Sequence, residues 1–303
     1  MTGTGPLAEG WGLPWTSVPG ALVATAARLG DHEAIVDGDL RLTWRELADR
    51  TDAAARAFVA AGLAPGDRVA IWAPNCWEWV ATVIGLQAAG GVAVPLNTRY
   101  KGAEAAWILN RSRARVLVTV DGFLGNGYLA MLAGQDLPHL EQTVVLREAA
   151  GGAVTWDRFL AAGAEVDPVE VESRRDALTP DTVNDVIFTS GTTGHPKGVL
   201  TTHGQVLRGY RTWAELAGLT EADRYLIVNP FFHSFGYRAG IVACVLTGAT
   251  MVPLPVFDVD AVMAAIAAER VTVFPGPPAL YQSILNHPER DRLASGTLRI
   301  AVT

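Results

Sequence analysis

Apolar positions along this chain return with two alternating periods. Thr43 followed by Glu46 makes a capping box, and Leu47, Ala54, Ala55, Phe58 and Val59 then recur at helical spacing until Gly62 closes the run. This pattern predicts an amphipathic helix. After the turn residues Pro65, Gly66 and Asp67, the pattern predicts a short strand over 69–72, a largely apolar helix over 77–89 and a second strand over 92–96. A helix over 102–110 and a strand over 116–120 continue the alternation. Between 121 and 181 the signal thins into Gly, Ala and acidic residues, with a strand-like piece at 143–146 and helical spacing around Trp156. From Asp185 it returns, with strands expected over 186–189, 225–228, 250–254, 271–274 and 298–302.

Strands alternating with helices imply an α/β chain built on mixed, largely parallel sheets with helices on both faces. The weak stretch divides it into a first α/β subdomain over 1–175 and a second over 176–303. Residues 239–257 have the length of a membrane span, but Gly248, Pro253 and Pro255 divide them, and a buried helix followed by a strand is expected instead. The first fifteen residues lack the basic and apolar regions of a signal peptide and read as a ragged lead-in.

Composition narrows the classes. Half of the 303 residues are apolar, 18% are charged and the net charge is −7, which leaves no basic face for nucleic acid or an acidic membrane. The two cysteines, Cys76 and Cys244, lie far apart, so neither a disulfide framework nor a zinc site is expected and a reducing cytoplasm fits. No metal ligand set is expected.

One segment stands apart from the periodic pattern. FTSGTTGHPKGV, residues 188–199, holds three glycines, four hydroxyl side chains and a lysine directly after an apolar strand. Glycines let backbone N–H groups converge on an anion, the hydroxyls of Thr189, Ser190, Thr192 and Thr193 add donors, and Lys197 adds a positive charge. That combination is a phosphate cradle. It is no Walker A loop, because Pro196 and Gly198 flank the lysine in the wrong register. It is no nucleophile elbow either, since Phe188 and Thr192 stand where G-x-S-x-G needs glycines.

The segment resembles the phosphate-binding signature of the acyl-adenylate-forming superfamily, which includes acyl-CoA synthetases, luciferases and peptide-synthetase adenylation domains. The stretch 230–236, PFFHSFG, is similar to that family's aromatic-histidine segment, and 66–70 and 90–97 strengthen the likeness, which runs from about Leu22 to Thr303. The resemblance implies that a carboxylic acid and Mg-ATP give an acyl-adenylate and pyrophosphate, after which coenzyme A displaces AMP. It implies that Thr189, Ser190, Gly191, Thr192, Thr193, Gly194 and Lys197 hold the β- and γ-phosphates with Mg²⁺. By the same resemblance His233 and Lys197 serve catalysis, and His233, Phe232, Phe235, Gly236, Tyr237, Gly276 and Pro277 contact the acyl substrate. From local sequence alone, His233 reads first as a core histidine with its ring nitrogens satisfied by backbone groups, a preference the resemblance reverses, and Phe231, Phe232, Phe235 and Tyr237 read equally as core or pocket wall.

Within the superfamily the chain looks most like the actinobacterial synthetases that activate the ring-bearing propanoate left by steroid degradation. The family's adenine, ribose and small-domain segments would follow Thr303, so a missing C-terminal half is expected. A non-catalytic acyl- and nucleotide-binding fragment, or an adenylating enzyme with another acceptor, are the remaining readings.

Overall fold

The computed structural model describes residues 12–147, 152–189, 196–293 and 295–303. Strands β1 (Glu33–Asp37), β2 (Leu40–Thr43), β3 (Arg68–Trp72), β4 (Val92–Pro95), β5 (Ala114–Thr119) and β6 (Gln142–Val145) come first along the chain. β7 (Val154–Thr155), β8 (Val183–Thr189), β9 (Lys197–Thr202), β10 (Arg224–Ile227) and β11 (Thr250–Pro253) follow. They form a seven-stranded sheet in the order β7-β6-β5-β3-β4-β8-β9 and a four-stranded sheet in the order β10-β11-β1-β2. All pairs are parallel except the two hairpins, β1 with β2 and β8 with β9. The mixed, largely parallel α/β architecture is therefore present.

Sheet membership crosses the boundary expected at 175. β8 and β9 join the sheet built from 68–155, and β1 and β2 join the sheet built from 224–253. Parallel pairing needs no neighbourhood in sequence, so a thinning of the apolar pattern between elements does not mark where one sheet ends.

The expected helices form where their caps lie. Thr43 caps Trp44–Ala60 by accepting from Glu46 N at 3.2 Å, while Glu46 Oε2 accepts from Thr43 N at 2.8 Å. The helix Trp77–Ala88 is buried at every position from Glu78 to Ala88, which explains an apolar pattern without a polar face. It approaches Trp44–Ala60 most closely at Gly85, where a Cβ would sit 2.8 Å from Ala54 Cβ and from the Thr51 carbonyl oxygen. Residues 239–257 resolve into the end of a π-helix (Phe235–Val242), a short α-helix (Ala243–Thr247) and β11. No helix of the described residues is long and apolar enough to cross a membrane.

Two expectations need correction. The strands expected at 271–274 and 298–302 reduce to single parallel bridges, Tyr225 to Val273 and Val273 to Ile300; toward β10 Pro275 has no N–H to continue the pairing, while toward 300–302 backbone bonds run on from Phe274 N to Ile300 O and from Gly276 N to Val302 O. These bridges extend the four-stranded sheet beyond β10. Lys197, expected to close a loop, instead begins β9.

Candidate functional site

Three segments compose the site. The first is the hairpin β8–β9, whose register pairs Phe188 with Gly198 and Thr189 with Lys197. The Lys197 side of the hairpin is exposed. Ser190, Gly191, Thr192, Thr193 and Gly194 lie outside the described residues.

The second segment runs from Asn229 to Tyr237 and is fastened by neighbours distant in sequence. Buried Asn75 donates to the carbonyls of Ile227 at 3.1 Å and Asn229 at 3.0 Å, and its Oδ1 accepts from Phe231 N at 2.7 Å. Asn229 Nδ2 in turn donates to Pro275 O at 2.9 Å. Gly236 lies so close to the carbonyls of Asn229 and Pro230 that a Cβ would fall inside both. This folds the chain tightly and leaves His233 exposed on top of Phe232, with ring centroids 4.6 Å apart and Phe232 itself buried. Partial loss of water, and secondly the Arg99 guanidinium, hold the His233 imidazole below the usual histidine range. It is neutral at pH 7 and free to donate or accept one hydrogen bond.

Two of the aromatic residues have a different setting from the one expected of a pocket wall. Tyr237 is fully buried, and its hydroxyl accepts from Gln87 Nε2 at 2.6 Å and Asn184 Nδ2 at 3.0 Å. Phe231 is equally buried against Trp79, with centroids 5.3 Å apart. Both rings fill the core beneath the segment. Phe235 is half-buried and meets Trp213 edge-on at 6.2 Å.

The third segment, around Gly276 and Pro277, reaches the second through the Asn229 to Pro275 bond. Gly276 is buried and donates to Val302 O at 2.9 Å, while Pro277 is exposed at the start of the helix Pro278–Leu285. The Tyr281 hydroxyl bonds back to Phe274 O, so helix and strand end are tied together.

Hairpin and His233 segment meet through a buried polar cluster that the sequence reading missed. Arg238 pairs with Asp185 of β8 and donates to Thr201 Oγ1 of β9 at 2.7 Å. Asn184 and Asp185, two polar residues leading an otherwise apolar strand, were the available signal.

A crevice of about 410 Å³ lies beside the site at the carboxyl ends of β3, β5 and β6, with Asn75, Asp121, Phe123 and Arg147 among its walls. Here the sheet order reverses, since β4 follows β3 on one side and β5 on the other. Arg147 closes one wall by pairing with Glu78 at 2.6 Å and Asp37 at 2.7 Å, which compensates the buried Glu78 carboxylate.

The described geometry places a neutral imidazole on an apolar platform and ties its segment to a hairpin whose outer strand begins with an exposed lysine. The profile of the AMP-binding enzyme family matches residues 22–303. The "3-[(3aS,4S,7aS)-7a-methyl-1,5-dioxo-octahydro-1H-inden-4-yl]propanoyl:CoA ligase" of Mycobacterium tuberculosis is 47% identical over 288 residues, covering 95% of this chain and 56% of that protein. Its namesake from Rhodococcus jostii is 44% identical over 294 residues, covering 95% and 57%. The chain thus spans about half the length of these curated relatives. The solved anthranilate CoA ligase AuaEII in complex with anthranoyl-AMP has the same fold, with a TM-score of 0.85 at 24% identity over 96% of this chain and 55% of that one. With the family profile spanning nearly the whole sequence and relatives this similar over most of it, the chain belongs to the AMP-binding enzyme family.

Proposed function

We propose that this chain supplies the phosphate-binding and acyl-binding part of an ATP-dependent acid–thiol ligase. The observation that carries the reading is the exposed, neutral His233 on Phe232, fastened to the hairpin of Thr189 and Lys197. In the first step the substrate carboxylate attacks the α-phosphorus of ATP, the bond to the bridging oxygen breaks, and pyrophosphate leaves. With a pKa near ~4, that carboxylate is already ionised at neutral pH and needs no base. What the step needs is charge neutralisation and alignment. Lys197 supplies a mobile charge for the β- and γ-phosphates, Thr189 a hydroxyl, and His233 one hydrogen bond to the carboxylate. The glycine loop Ser190 to Gly194 completes the cradle in this reading. Mg²⁺ enters as the Mg–ATP complex. Coenzyme A thiol then displaces AMP from the adenylate.

The substrate is proposed to be a ring-bearing propanoate from steroid breakdown. Phe232, Phe235 and Tyr281 are the aromatic side chains left near the site once Phe231 and Tyr237 are assigned to the core, and rigid rings select by shape. The names of the two ligases at 44% and 47% identity point the same way. A cytoplasmic location suits this reading, because ATP and coenzyme A are both available there.

The test uses a chimera of residues 22–303 with the remaining length of the M. tuberculosis relative. Comparing kcat/KM for a bicyclic propanoate, a cinnamate-type acid and palmitate should rank the bicyclic acid first. A preference for palmitate overturns the steroid assignment, and no pyrophosphate release with any acid leaves a binding fragment. The 303-residue chain alone is expected to form no detectable acyl-CoA.

A further inference from the structure

We propose that Arg238 is a positioning residue that sets the hairpin carrying Lys197 against the segment carrying His233. The argument begins with where it sits. Arg238 belongs to the π-helix Phe235–Val242, which directly continues the His233 segment. π-turns widen a helix locally and turn a side chain out of the ordinary register. Here that side chain enters the base of the hairpin and grips both of its strands.

The grip falls on one rung. Asp185 of β8 and Thr201 of β9 are register partners, and the Arg238 guanidinium bonds the Asp185 carboxylate through Nη2 and Nε and the Thr201 hydroxyl through Nη2. Asp185 is wholly buried, and the Arg238 side chain is 12% exposed. A charge pair so removed from water holds its geometry closely, because each partner left alone would be an uncompensated buried charge. From this rung the strands run without interruption to Thr189 and Lys197, so the orientation fixed at the base is carried to the tip.

A second tie acts in parallel. Tyr237, the neighbour of Arg238, accepts from Asn184, the neighbour of Asp185, and from Gln87 of the buried helix Trp77–Ala88. Two consecutive residues of the π-helix are therefore bound to two consecutive residues of β8. Gln87 Nε2 also reaches Asn184 O at 3.3 Å, which ties both to a helix that has no freedom of its own. By comparison, the His233 segment has its own separate fastening through Asn75. Without Arg238 the two halves of the site would be held in relative position by the Tyr237 tie alone, with no grip on β9.

Its importance for the reaction rests on the ligase reading above, in which the phosphates meet Lys197 and the carboxylate meets His233. In-line attack depends on the spacing of those two groups, and small misplacement lowers the rate steeply. Lysine cannot reproduce the grip, since an ammonium cannot bond a carboxylate with two nitrogens and a hydroxyl at once.

The 303-residue chain contains two lysines, Lys101 and Lys197, which makes endoproteinase Lys-C a reporter with an internal control. In R238Q, which adds no new lysine, cleavage at Lys197 is expected to rise roughly tenfold while cleavage at Lys101 is unchanged. The His233 imidazole, followed by NMR through a pH titration, should move toward the usual histidine value as its surroundings loosen. T201V, which keeps the buried ion pair, guards against a variant that fails to fold and should raise Lys197 cleavage by a smaller factor. Unchanged Lys197 cleavage with an unchanged His233 titration in both variants would overturn the proposal, as would equal acceleration at both lysines. Inorganic pyrophosphate tests the underlying reading separately. If it fails to protect Lys197 in the unmodified chain, the phosphate assignment falls, while the two ligand-free readouts still decide the role of Arg238.

Discussion

The two halves of the candidate site are secured in different ways. The His233 segment is fastened from outside itself, by Asn75 through three backbone bonds, by Asn229 to Pro275 and by the close contact at Gly236. The hairpin has its own backbone rungs and the Arg238 grip at its base. Its outer strand β9 is the last in the order of the seven-stranded sheet, with Val199 and Leu200 49% and 64% exposed. In the proposed reading, a group that faces a carboxylate at one place benefits from the first design. A strand pair that faces the triphosphate benefits from a base held fixed while its outer strand stays open. Substitutions on the clamped side should therefore act on stability, and substitutions at the hairpin tip on chemistry alone.

The sharpest way to break this contrast is G236V. Its Cβ would enter the carbonyls of Asn229 and Pro230, which are backbone atoms unable to swing aside. Stability should fall by about 3 kcal/mol or more, and soluble yield with it, as read by chemical denaturation. A fully stable G236V would show that the segment is not clamped. N75A is next. It leaves the Phe231 amide and two carbonyls without their partner, and a loss of about 2 kcal/mol is expected on the same measurement.

A pH effect of intermediate size comes from His203, the residue directly after β9. The imidazole is buried, its Nδ1 accepts from Val18 N at 3.2 Å, and burial drives its pKa down to about 3. A folded-state pKa below the unfolded value of 6.5 means full stability above pH 6.5 and progressive loss as pH falls from there toward 3. The slope is at most about 1.4 kcal/mol per pH unit from this group. Thermal melts between pH 7 and 4.5 should show it, and H203Q should flatten the slope. The smallest stability effect is expected for K197A, within about 0.5 kcal/mol of the parent chain. In the chimera the same change should slow pyrophosphate formation by roughly a hundredfold. Equal rates would remove Lys197 from the phosphate site.

Legibility in the sequence followed the range of the forces involved. The helix Trp44–Ala60 and the alternation through β3, β4 and β5 were readable because caps, turns and periodicity are local. The helix Val18–Leu29 was not predicted, since Pro19, Gly20 and a run of alanines blur its apolar stripe. The hairpin of β1 and β2 was missed for its short strands, and β9 because its residues were absorbed into the loop before it. Residue types alone singled out 188–199 and His233 as candidate site residues. They could not separate Phe232, which supports His233, from Phe231 and Tyr237, which fill the core, because all three are aromatic and only packing tells them apart. Asn75 and Arg238 act across long sequence separations and leave no local pattern.

The interleaving of the two sheets also governs when this molecule can become itself during synthesis. β1 pairs with β11 through Ile35 and Met251, so the hairpin of β1 and β2 leaves the ribosome long before its partner strand exists. β3 to β7 can pair among themselves in the meantime, whereas one edge of β1 waits without hydrogen bonds until residue 253 has emerged. A nascent chain whose emerged part ends between residues 202 and 224 would thus hold a completed seven-stranded sheet together with an unclaimed two-stranded ribbon. That interval is the moment of greatest exposure to chaperones and to other nascent chains.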